Sequence, residues 1–271
     1  MLEQLTELTP PWVLSACGGV IGLLVGSFLN VVVWRVPRDE SIVSPPSACP
    51  RCGHPIRPRD NVPVVSWLLL RGRCRDCGEP ITVRYPLVEA GTAALFGLTA
   101  WWAGFNWSLP AYLYLAAISV ALTLIDLDTK RLPDAIVLPA YPVGAALLAL
   151  AGWNPGGAND WSAFVRALIG CAVLFAGYFV VMFIYPAGMG FGDVKLAGVL
   201  GLYLAWTGWG EFAVGAFAAF LVGGVFSIAL LAARRASRKS AIPFGPWMIA
   251  GAAIGLAVGE RLWAAYLGVL G

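Results

Sequence analysis

The chain has 271 residues, of which 59% are hydrophobic and only 12% are charged, and its mean hydropathy is +0.77. Soluble domains carry about 25% charged residues, so this composition excludes a soluble globular protein and predicts a polytopic membrane protein. The net charge is only +3, and the basic residues are divided among several membrane loops, which argues against a nucleic-acid-binding patch.

Eight apolar runs can be distinguished along the chain, and several approach the ~20 residues that a helix needs to cross a bilayer. They are Pro11–Val33, Leu87–Trp102, Leu109–Ile125, Ala135–Ala151, Phe164–Tyr185, Leu196–Trp206, Phe212–Ala233 and Phe244–Leu270. We therefore predict an all-α polytopic membrane protein with about eight transmembrane helices. The first run lacks a basic n-region, so residues 1–36 are predicted to form a retained transmembrane helix and not a signal peptide.

The positions of the basic residues predict how the helices are oriented. If the N-terminus lies outside, sixteen of the eighteen Lys and Arg residues fall in cytoplasmic loops, and only Arg166 and Arg261 lie toward the outside. This distribution follows the positive-inside rule in all four cytoplasmic loops. The sixteen residues are Arg35, Arg38, Arg51, Arg57, Arg59, Arg71, Arg73, Arg75, Arg84, Lys130, Arg131, Lys195, Arg234, Arg235, Arg238 and Lys239.

Near the end of the first run, Gly22, Gly26, Ser27 and Asn30 have the small and polar side chains of a helix-packing face. Packing is the favoured interpretation of these residues, ahead of a catalytic one. Glu89, one turn inside the second run, is left open between a functional role and an ion pair with a loop arginine.

Residues 37–86 form the only sizeable polar segment, and they contain two Cys-x-x-Cys pairs that are each followed by glycine. Such pairs are typical of a zinc ribbon, because each tight turn presents two thiolates to one metal ion. The predicted ligands are Cys49, Cys52, Cys74 and Cys77, and a closed four-cysteine shell indicates a structural zinc. Disulfide bonds are the alternative, but the predicted cytoplasmic location argues against them. His54, the single histidine, is then a solvated loop residue.

Three aspartates follow the third apolar run directly. Asp126 comes first and is expected to face the helix bundle. Asp128 is rotated by about 200° from it around a helix, so it is expected to face solvent. Asp134 is expected to cap the next helix.

A fourth aspartate, Asp193, lies where the glycine-rich stretch Gly188–Leu196 meets an apolar run. Glycines such as Gly190 and Gly192 allow positive φ and the close approach of other groups. A carboxylate at a membrane boundary suggests function, since burying its charge is costly, although a solvated turn explains the stretch alone equally well. On the predicted topology, Asp193 and Asp126 lie at the same cytoplasmic membrane face.

The last apolar run is opened by the stretch Ile242-Pro243-Phe244-Gly245-Pro246-Trp247. Proline is tolerated at a helix start, and the aromatic residues are interpreted as an interfacial belt.

Paired carboxylates are the chemistry that the sequence leaves available. Nucleophilic triads with histidine would need His54, which lies inside the predicted zinc segment, and no HExxH motif is present. Two aspartates that share a site hold one proton between them near neutral pH, so one can activate water while the other polarises a carbonyl group. This predicts aspartic peptide hydrolysis. The same residues could instead relay protons in a membrane transporter.

These motifs together resemble the bacterial type IV prepilin peptidases, which are leader peptidase/N-methyltransferases of the GxGD aspartic peptidase family. The resemblance covers nearly the whole chain. The matching residues are Gly190-Phe191-Gly192-Asp193 with Lys195-Leu196, Ile125-Asp126, Leu132-Pro133-Asp134, Gly26–Val31, Arg35-Val36-Pro37, both cysteine pairs and Pro243-Phe244-Gly245-Pro246.

The resemblance implies that Asp126 and Asp193 are the catalytic pair of a membrane aspartic endopeptidase, with Gly190, Gly192 and Lys195 in the supporting loop. Its substrates would be prepilins and type II secretion pseudopilins, whose short basic leaders it would cut on the cytoplasmic side after a glycine. It would then N-methylate the new N-terminal residue with S-adenosylmethionine, for which we predict no binding residues.

The resemblance also implies a place for the chain in the bacterial inner membrane, with the lipid bilayer and the precursor proteins as partners and no nucleic acid. The expected domains are the first transmembrane helix, a cytoplasmic zinc module at residues 37–86 and a seven-helix peptidase domain at residues 87–271. A proton-coupled transporter and a structural component of the pilus machinery are the alternatives.

Overall fold

The structure is a computed structural model that describes residues 10–186, 188–234 and 242–270. This part of the chain is all-helical, as predicted, and it contains no β-strand, only two isolated bridges in the cysteine-containing segment. Of the predicted basic loop, Arg235, Arg238 and Lys239 lie outside the described residues. The described α-helices are α1 (Pro11–Arg35), α2 (Val65–Leu69), α3 (Arg84–Ala103), α4 (Leu109–Thr129), α5 (Asp134–Trp153), α6 (Trp161–Ile184), α7 (Phe191–Thr207), α8 (Trp209–Ala232) and α9 (Gly245–Leu270).

Local chemistry explains where several helices begin and end. Pro11 is the first residue of α1, a position where its missing N–H has no intrahelical partner to lose. Gly104 ends α3 with φ of 71°, and Asn154 ends α5 in the left-handed conformation. Asp160 is the N-cap of α6, where its side chain accepts a hydrogen bond from the Ala163 N–H at 2.9 Å.

Six helices are long and apolar enough to cross a membrane, namely α1, α4, α5, α6, α8 and α9. The prediction of a multi-helix membrane protein is therefore confirmed, while the count of eight spans stays a prediction. α7 has only 17 residues, and its residues 196–205 are all buried. A helix surrounded by protein is not required to match the bilayer thickness, which accounts for the shortness of this run.

The chain divides into two compact units at Ala121 and Leu122. In the first unit, α1 packs against α3 through glycines. A Cβ atom on Gly22 would lie 2.7 Å from the Ala93 Cα, and one on Gly26 would lie 2.8 Å from the Glu89 Cα. The contact between backbones confirms the predicted packing face. Asn30 adds a hydrogen bond of 3.3 Å from its side-chain amide to the Tyr85 carbonyl.

In the second unit, α7 packs against α5, α6, α8 and α9. Small residues again bring backbones together, since a Cβ atom on Gly170 of α6 would lie 2.8 Å from the Gly201 carbonyl oxygen of α7. At the far end of α7, the Arg166 guanidinium donates to the carbonyl oxygens of Ala205 and Trp206, both at 2.6 Å. These bonds satisfy carbonyls that have no intrahelical partner. α7 is thereby fixed in place, and its first turn carries Asp193.

Candidate functional site

Asp126 lies in the last turn of α4 and is buried, with only 4% of its surface exposed. Its Oδ2 accepts a hydrogen bond of 3.0 Å from the backbone N–H of Gly245, the first residue of α9. Asp128 is exposed. The predicted difference in orientation between these two aspartates is therefore confirmed.

Asp193 lies in the first turn of α7, where its Oδ2 accepts a hydrogen bond of 3.1 Å from the Gly190 N–H. Gly190 has φ of −79°, so the predicted use of positive φ is wrong at this position. Gly192 provides room for a neighbour, because a Cβ atom there would lie 3.1 Å from the Cβ of Leu132. The glycines of this loop permit close packing, as the sequence also suggested.

The two aspartates belong to one site. Their carboxylates lie within range of a direct electrostatic interaction. Leu132, in the connection between α4 and α5, links the two halves. Its side chain is next to Gly192, beside Asp193, and also next to Gly245, which donates to Asp126. The starts of α7 and α9 and the end of α4 thus converge around two carboxylates.

Lys195 lies one half-turn beyond Asp193, and its ammonium group pairs with the Asp134 carboxylate. Its Nζ also lies 5.2 Å from the centroid of the Phe191 ring. The predicted capping role of Asp134 is wrong. Pro133 occupies the N-cap position, no side chain caps the helix, and Asp134 already belongs to the first helical turn, from which it reaches Lys195.

An aromatic cluster lies beside the aspartates. Tyr178 of α6 is only 3% exposed and lies within electrostatic range of Asp193. Its ring centroid is 5.2 Å from that of Phe220 and 6.4 Å from that of Phe244. The sequence analysis interprets the aromatic residues at the start of α9 as an interfacial belt. In the structure, Phe244 and Trp247 instead pack against α8, and the ring centroids of Trp247 and Phe226 lie 4.2 Å apart.

Glu89 has a role that neither sequence interpretation included. It is buried in α3, and its Oε2 accepts a hydrogen bond of 2.7 Å from the Val64 N–H. Val64 has φ of 60° and ψ of −49°, and the Val65 N–H bonds back to the Pro63 carbonyl at 2.5 Å. This is a γ-turn, which is rare and strained for a β-branched residue. The Glu89 carboxylate thus holds a strained loop on α3.

The four cysteines converge as predicted. The Sγ atoms of Cys49, Cys52, Cys74 and Cys77 all lie within 4.8 Å of one another, and the Cys49–Cys77 distance is 3.8 Å. The two pairs have the same backbone. Gly53 and Gly78 adopt φ of 72° and 73°, and each donates its N–H to the carbonyl of the first cysteine of its pair. His54 is exposed, in agreement with its predicted place outside the shell.

The thiol chemistry of this cluster fits zinc. Zinc binds thiolates at about 2.3 Å in a tetrahedron, which places sulfur atoms just under 4 Å apart. Hydrogen bonds from the backbone N–H groups of Cys52 and Arg51 lower the pKa of the Cys49 thiol to about 7, which favours the thiolate at this one cysteine. Desolvation and the neighbouring thiols raise the pKa of Cys52 and that of Cys77. No disulfide bond joins these four cysteines in the structure.

Known proteins match the chain over nearly its whole length. The family model of the bacterial peptidase A24 N-terminal domain matches residues 20–103, and that of the type IV leader peptidase family matches residues 113–228. Curated relatives are named prepilin leader peptidase/N-methyltransferase. The one from Pseudomonas aeruginosa is 36% identical over 95% of this chain and 94% of its own length.

Further relatives carry the same name. The one from Aeromonas salmonicida is 36% identical over 96% of both chains, and the one from Neisseria gonorrhoeae is 35% identical over 97% of this chain and 96% of its own. No solved structure matches the chain.

Proposed function

The chain belongs to the type IV leader peptidase family, and on this premise we propose that it removes the leader peptide of prepilins and methylates the new N-terminus. The names of its relatives contain both activities. The observation that carries the proposal is the placement of Asp126 and Asp193 in one site, at the convergence of α4, α7 and α9. Family membership gives no support to a proton-coupled transporter.

The proposed peptidase reaction uses the aspartates in two protonation states. The ionised carboxylate takes a proton from water as the water oxygen attacks the carbonyl carbon of the scissile bond. The protonated carboxylic acid donates a hydrogen bond to the carbonyl oxygen on which negative charge develops. When the C–N bond of the tetrahedral intermediate breaks, the carboxyl group that took the proton from water gives it to the leaving amine, and the starting state of the pair is restored. The pair acts as one unit, because the proton is shared between its members.

Gly190, Gly192 and Lys195 are proposed to support this pair. Gly190 donates its N–H to Asp193, and Gly192 leaves the space that Leu132 occupies. Lys195 joins the first turn of α7 to α5 through Asp134. None of the three is required to touch the substrate.

For the membrane topology, we propose eight spans, in which α3 and α7 join the six long apolar helices. The excess of Lys and Arg in the loops that would be cytoplasmic supports an outside N-terminus in the bacterial inner membrane. On this topology, residues 37–86 form a cytoplasmic zinc module between the first helix and a seven-helix peptidase domain. The active site then lies at the cytoplasmic face, and the cut comes after a glycine, at the start of the substrate's apolar helix.

The substrate class is proposed to include type II secretion pseudopilins as well as type IV prepilins. A short basic leader is complementary to the acidic residues around the site, which include Asp126, Asp128 and Asp193. The partners are then these precursor proteins and the bilayer, and no nucleic acid takes part.

Two cofactors are proposed. A structural zinc would be held by Cys49, Cys52, Cys74 and Cys77, whose sulfur geometry fits it. S-adenosylmethionine would supply the methyl group. The described residues contain no strand–turn–helix with a glycine-rich turn, so no residue of this chain is assigned to the methyl donor.

The test is to incubate the purified protein with a prepilin in the presence and absence of S-adenosylmethionine and to measure the product mass. We expect loss of the leader in both cases, and a further gain of about 14 Da, one methylene group, only with the methyl donor. A prepilin that binds but keeps its mass would contradict the proposal and would favour a structural role in pilus assembly.

A further inference from the structure

We propose that Gly245 is a positioning residue for the peptidase reaction, and that its backbone N–H holds the Asp126 carboxylate in its working orientation. The inference rests on the proposed function. Gly245 and Asp126 are 119 positions apart in the chain, yet the N–H of one lies 3.0 Å from the Oδ2 of the other in a buried contact. The start of the last helix is therefore part of the candidate active site.

The backbone around Gly245 leaves its N–H directed at Asp126. The first N–H groups of a helix have no intrahelical acceptor. In α9, Pro246 has no N–H, and the N–H groups of Trp247 and Met248 both donate to the Phe244 carbonyl at 3.0 and 3.1 Å. The N–H of Gly245 is the donor of this turn that reaches the carboxylate. The positive end of the helix dipole also favours a negative group at this point.

The residue must be small as well as a donor. A Cβ atom on Gly245 would lie 2.8 Å from the Asp126 Oδ2 and 3.2 Å from the Leu132 Cδ2. A carbon atom in real structures is essentially never found as close to an oxygen as the first of these distances. A side chain at this position would therefore displace the Asp126 carboxylate, whereas the end of the Leu132 side chain could move aside.

The displacement would affect chemistry more than substrate binding. Asp126 and Asp193 are close enough to interact, and Leu132 lies beside the glycines that adjoin both. Moving one carboxylate misplaces the water and the shared proton, and a misplacement of about 1 Å costs about 100-fold in rate. A shift of a fraction of an ångström should therefore cost about tenfold. A substitution at Gly245 leaves the charge of Asp126 and of the other acidic residues around the site unchanged, so KM should change little.

The experiment compares three glycine-to-alanine variants within α9, with a prepilin as substrate. For Gly245→Ala we expect kcat to fall at least tenfold while KM stays within twofold. Gly268 has open space around it, so Gly268→Ala should retain wild-type kcat. Gly251 lies against the backbone of Ala219, so Gly251→Ala introduces a packing defect away from the aspartates. This variant should lower the midpoint of thermal unfolding, and it shows how much a packing defect alone changes kcat.

The double variant Leu132→Ala/Gly245→Ala separates positioning from packing. It removes the collision with Leu132 but leaves the collision with the carboxylate, so kcat should stay low. Recovery of kcat in the double variant, or a kcat within twofold of wild type in Gly245→Ala, would overturn the proposal.

Amide hydrogen exchange provides a second test, which does not depend on the stability of Gly245→Ala. In the wild-type protein the Gly245 N–H should be protected, and in Asp126→Ala it should exchange at least tenfold faster. Equal exchange would overturn the proposal. A wild-type protein that failed to cleave any prepilin would instead refute the proposed function, and the exchange result would still decide whether the hydrogen bond exists.

Discussion

The side chains of Lys195 and Asp134 form an ion pair that joins the first turn of α7 to the first turn of α5. The Lys195 side chain is only 14% exposed, whereas that of Asp134 is 58% exposed. Tyr141, also on α5, donates its hydroxyl hydrogen to the Lys195 carbonyl at 2.6 Å. The turn that carries Asp193 is therefore attached to α5 by both the side chain and the backbone of Lys195.

We expect Lys195→Met to lower kcat about tenfold, because the loss of the ion pair lets the first turn of α7 shift by a fraction of an ångström. Stability should fall by less than about 1 kcal/mol, since one partner of the pair is exposed. Steady-state cleavage assays and thermal unfolding measure the two effects. Asp134→Asn should have the same effect, and the double variant should be no worse than either single one. Losses of kcat that multiply in the double variant would show that the two residues act separately.

The dyad itself predicts that Asp126→Asn and Asp193→Asn each lower the cleavage rate by about 100- to 10,000-fold while the protein still inserts into the membrane. An amide cannot take a proton from water, and it cannot share a proton with the remaining carboxylate. Product mass and membrane fractionation are the measurements. Asp128→Asn serves as the control for the chemical step, because Asp128 lies nearby but is exposed on another face of α4. The loss of its charge should raise KM for a basic leader and leave kcat unchanged. Normal cleavage by either of the first two variants would refute the catalytic pair.

The cysteine cluster predicts about one zinc per chain in the purified protein. Changing Cys49, Cys52, Cys74 or Cys77 singly to Ser should abolish most of this metal content and should lower the midpoint of thermal unfolding, because a small segment depends on its metal for stability. Metal analysis of the variants is the measurement. Cys17→Ser is the matched control, because Cys17 lies in α1, outside the cluster. Variants that keep both metal and stability would contradict a zinc site.

The glycine contact between α1 and α3 predicts that Gly22→Ala destabilises the first unit by about 1–3 kcal/mol, since the added carbon would lie 2.7 Å from the Ala93 Cα and backbones cannot move aside cheaply. Gly91→Ala, in α3, has open space and should be neutral or slightly stabilising. Thermal unfolding in detergent compares the two. Equal stability of both variants would contradict this contact and would mean that α1 and α3 are further apart than in the structure.

Asp160 predicts a pH dependence of stability. Hydrogen bonds from the Ser162 hydroxyl and the Ala163 N–H hold the pKa of the Asp160 carboxyl below its usual value. Because the folded-state pKa is lowered, the stabilising contribution is fully present above the unfolded-state pKa of about 3.9, and it is lost as the pH falls through the folded-state pKa.

The measurement for Asp160 is the thermal unfolding midpoint of three proteins between pH 7 and pH 3. Asp160→Ala should cost about 1 kcal/mol at pH 7, the value of an N-cap. Asp160→Asn keeps an acceptor at the cap and does not titrate, so the wild-type protein should lose stability relative to this variant below about pH 4. A constant difference across the whole range would exclude the assigned role.

The sequence was sufficient for much of the architecture because its signals are local. Runs of apolar residues predicted the long helices within a few residues, and the spacing of Cys49, Cys52, Cys74 and Cys77 predicted one cluster. The 200° rotation between Asp126 and Asp128 predicted which of the two is buried. Each of these inferences depends on helix geometry or on short turns, which the local sequence determines.

The contacts that the sequence could not predict join residues far apart in the chain. Nothing in the order of residues shows that Gly245 reaches Asp126, that Lys195 reaches Asp134 or that Glu89 binds the loop at Val64. The sign that could have identified Gly245 is its setting, a glycine at a helix start next to a proline that has no N–H. That pattern indicates a free backbone donor but not its acceptor.

The hydrogen bond from Gly245 to Asp126 has a consequence for biosynthesis. Asp126 and Asp193 leave the ribosome well before α9, so during translation the first of them has no donor for its Oδ2. The candidate site becomes complete only when the last helix has been inserted beside α4. A nascent chain that already contains both aspartates is therefore expected to lack a correctly positioned Asp126 carboxylate until α9 has been inserted.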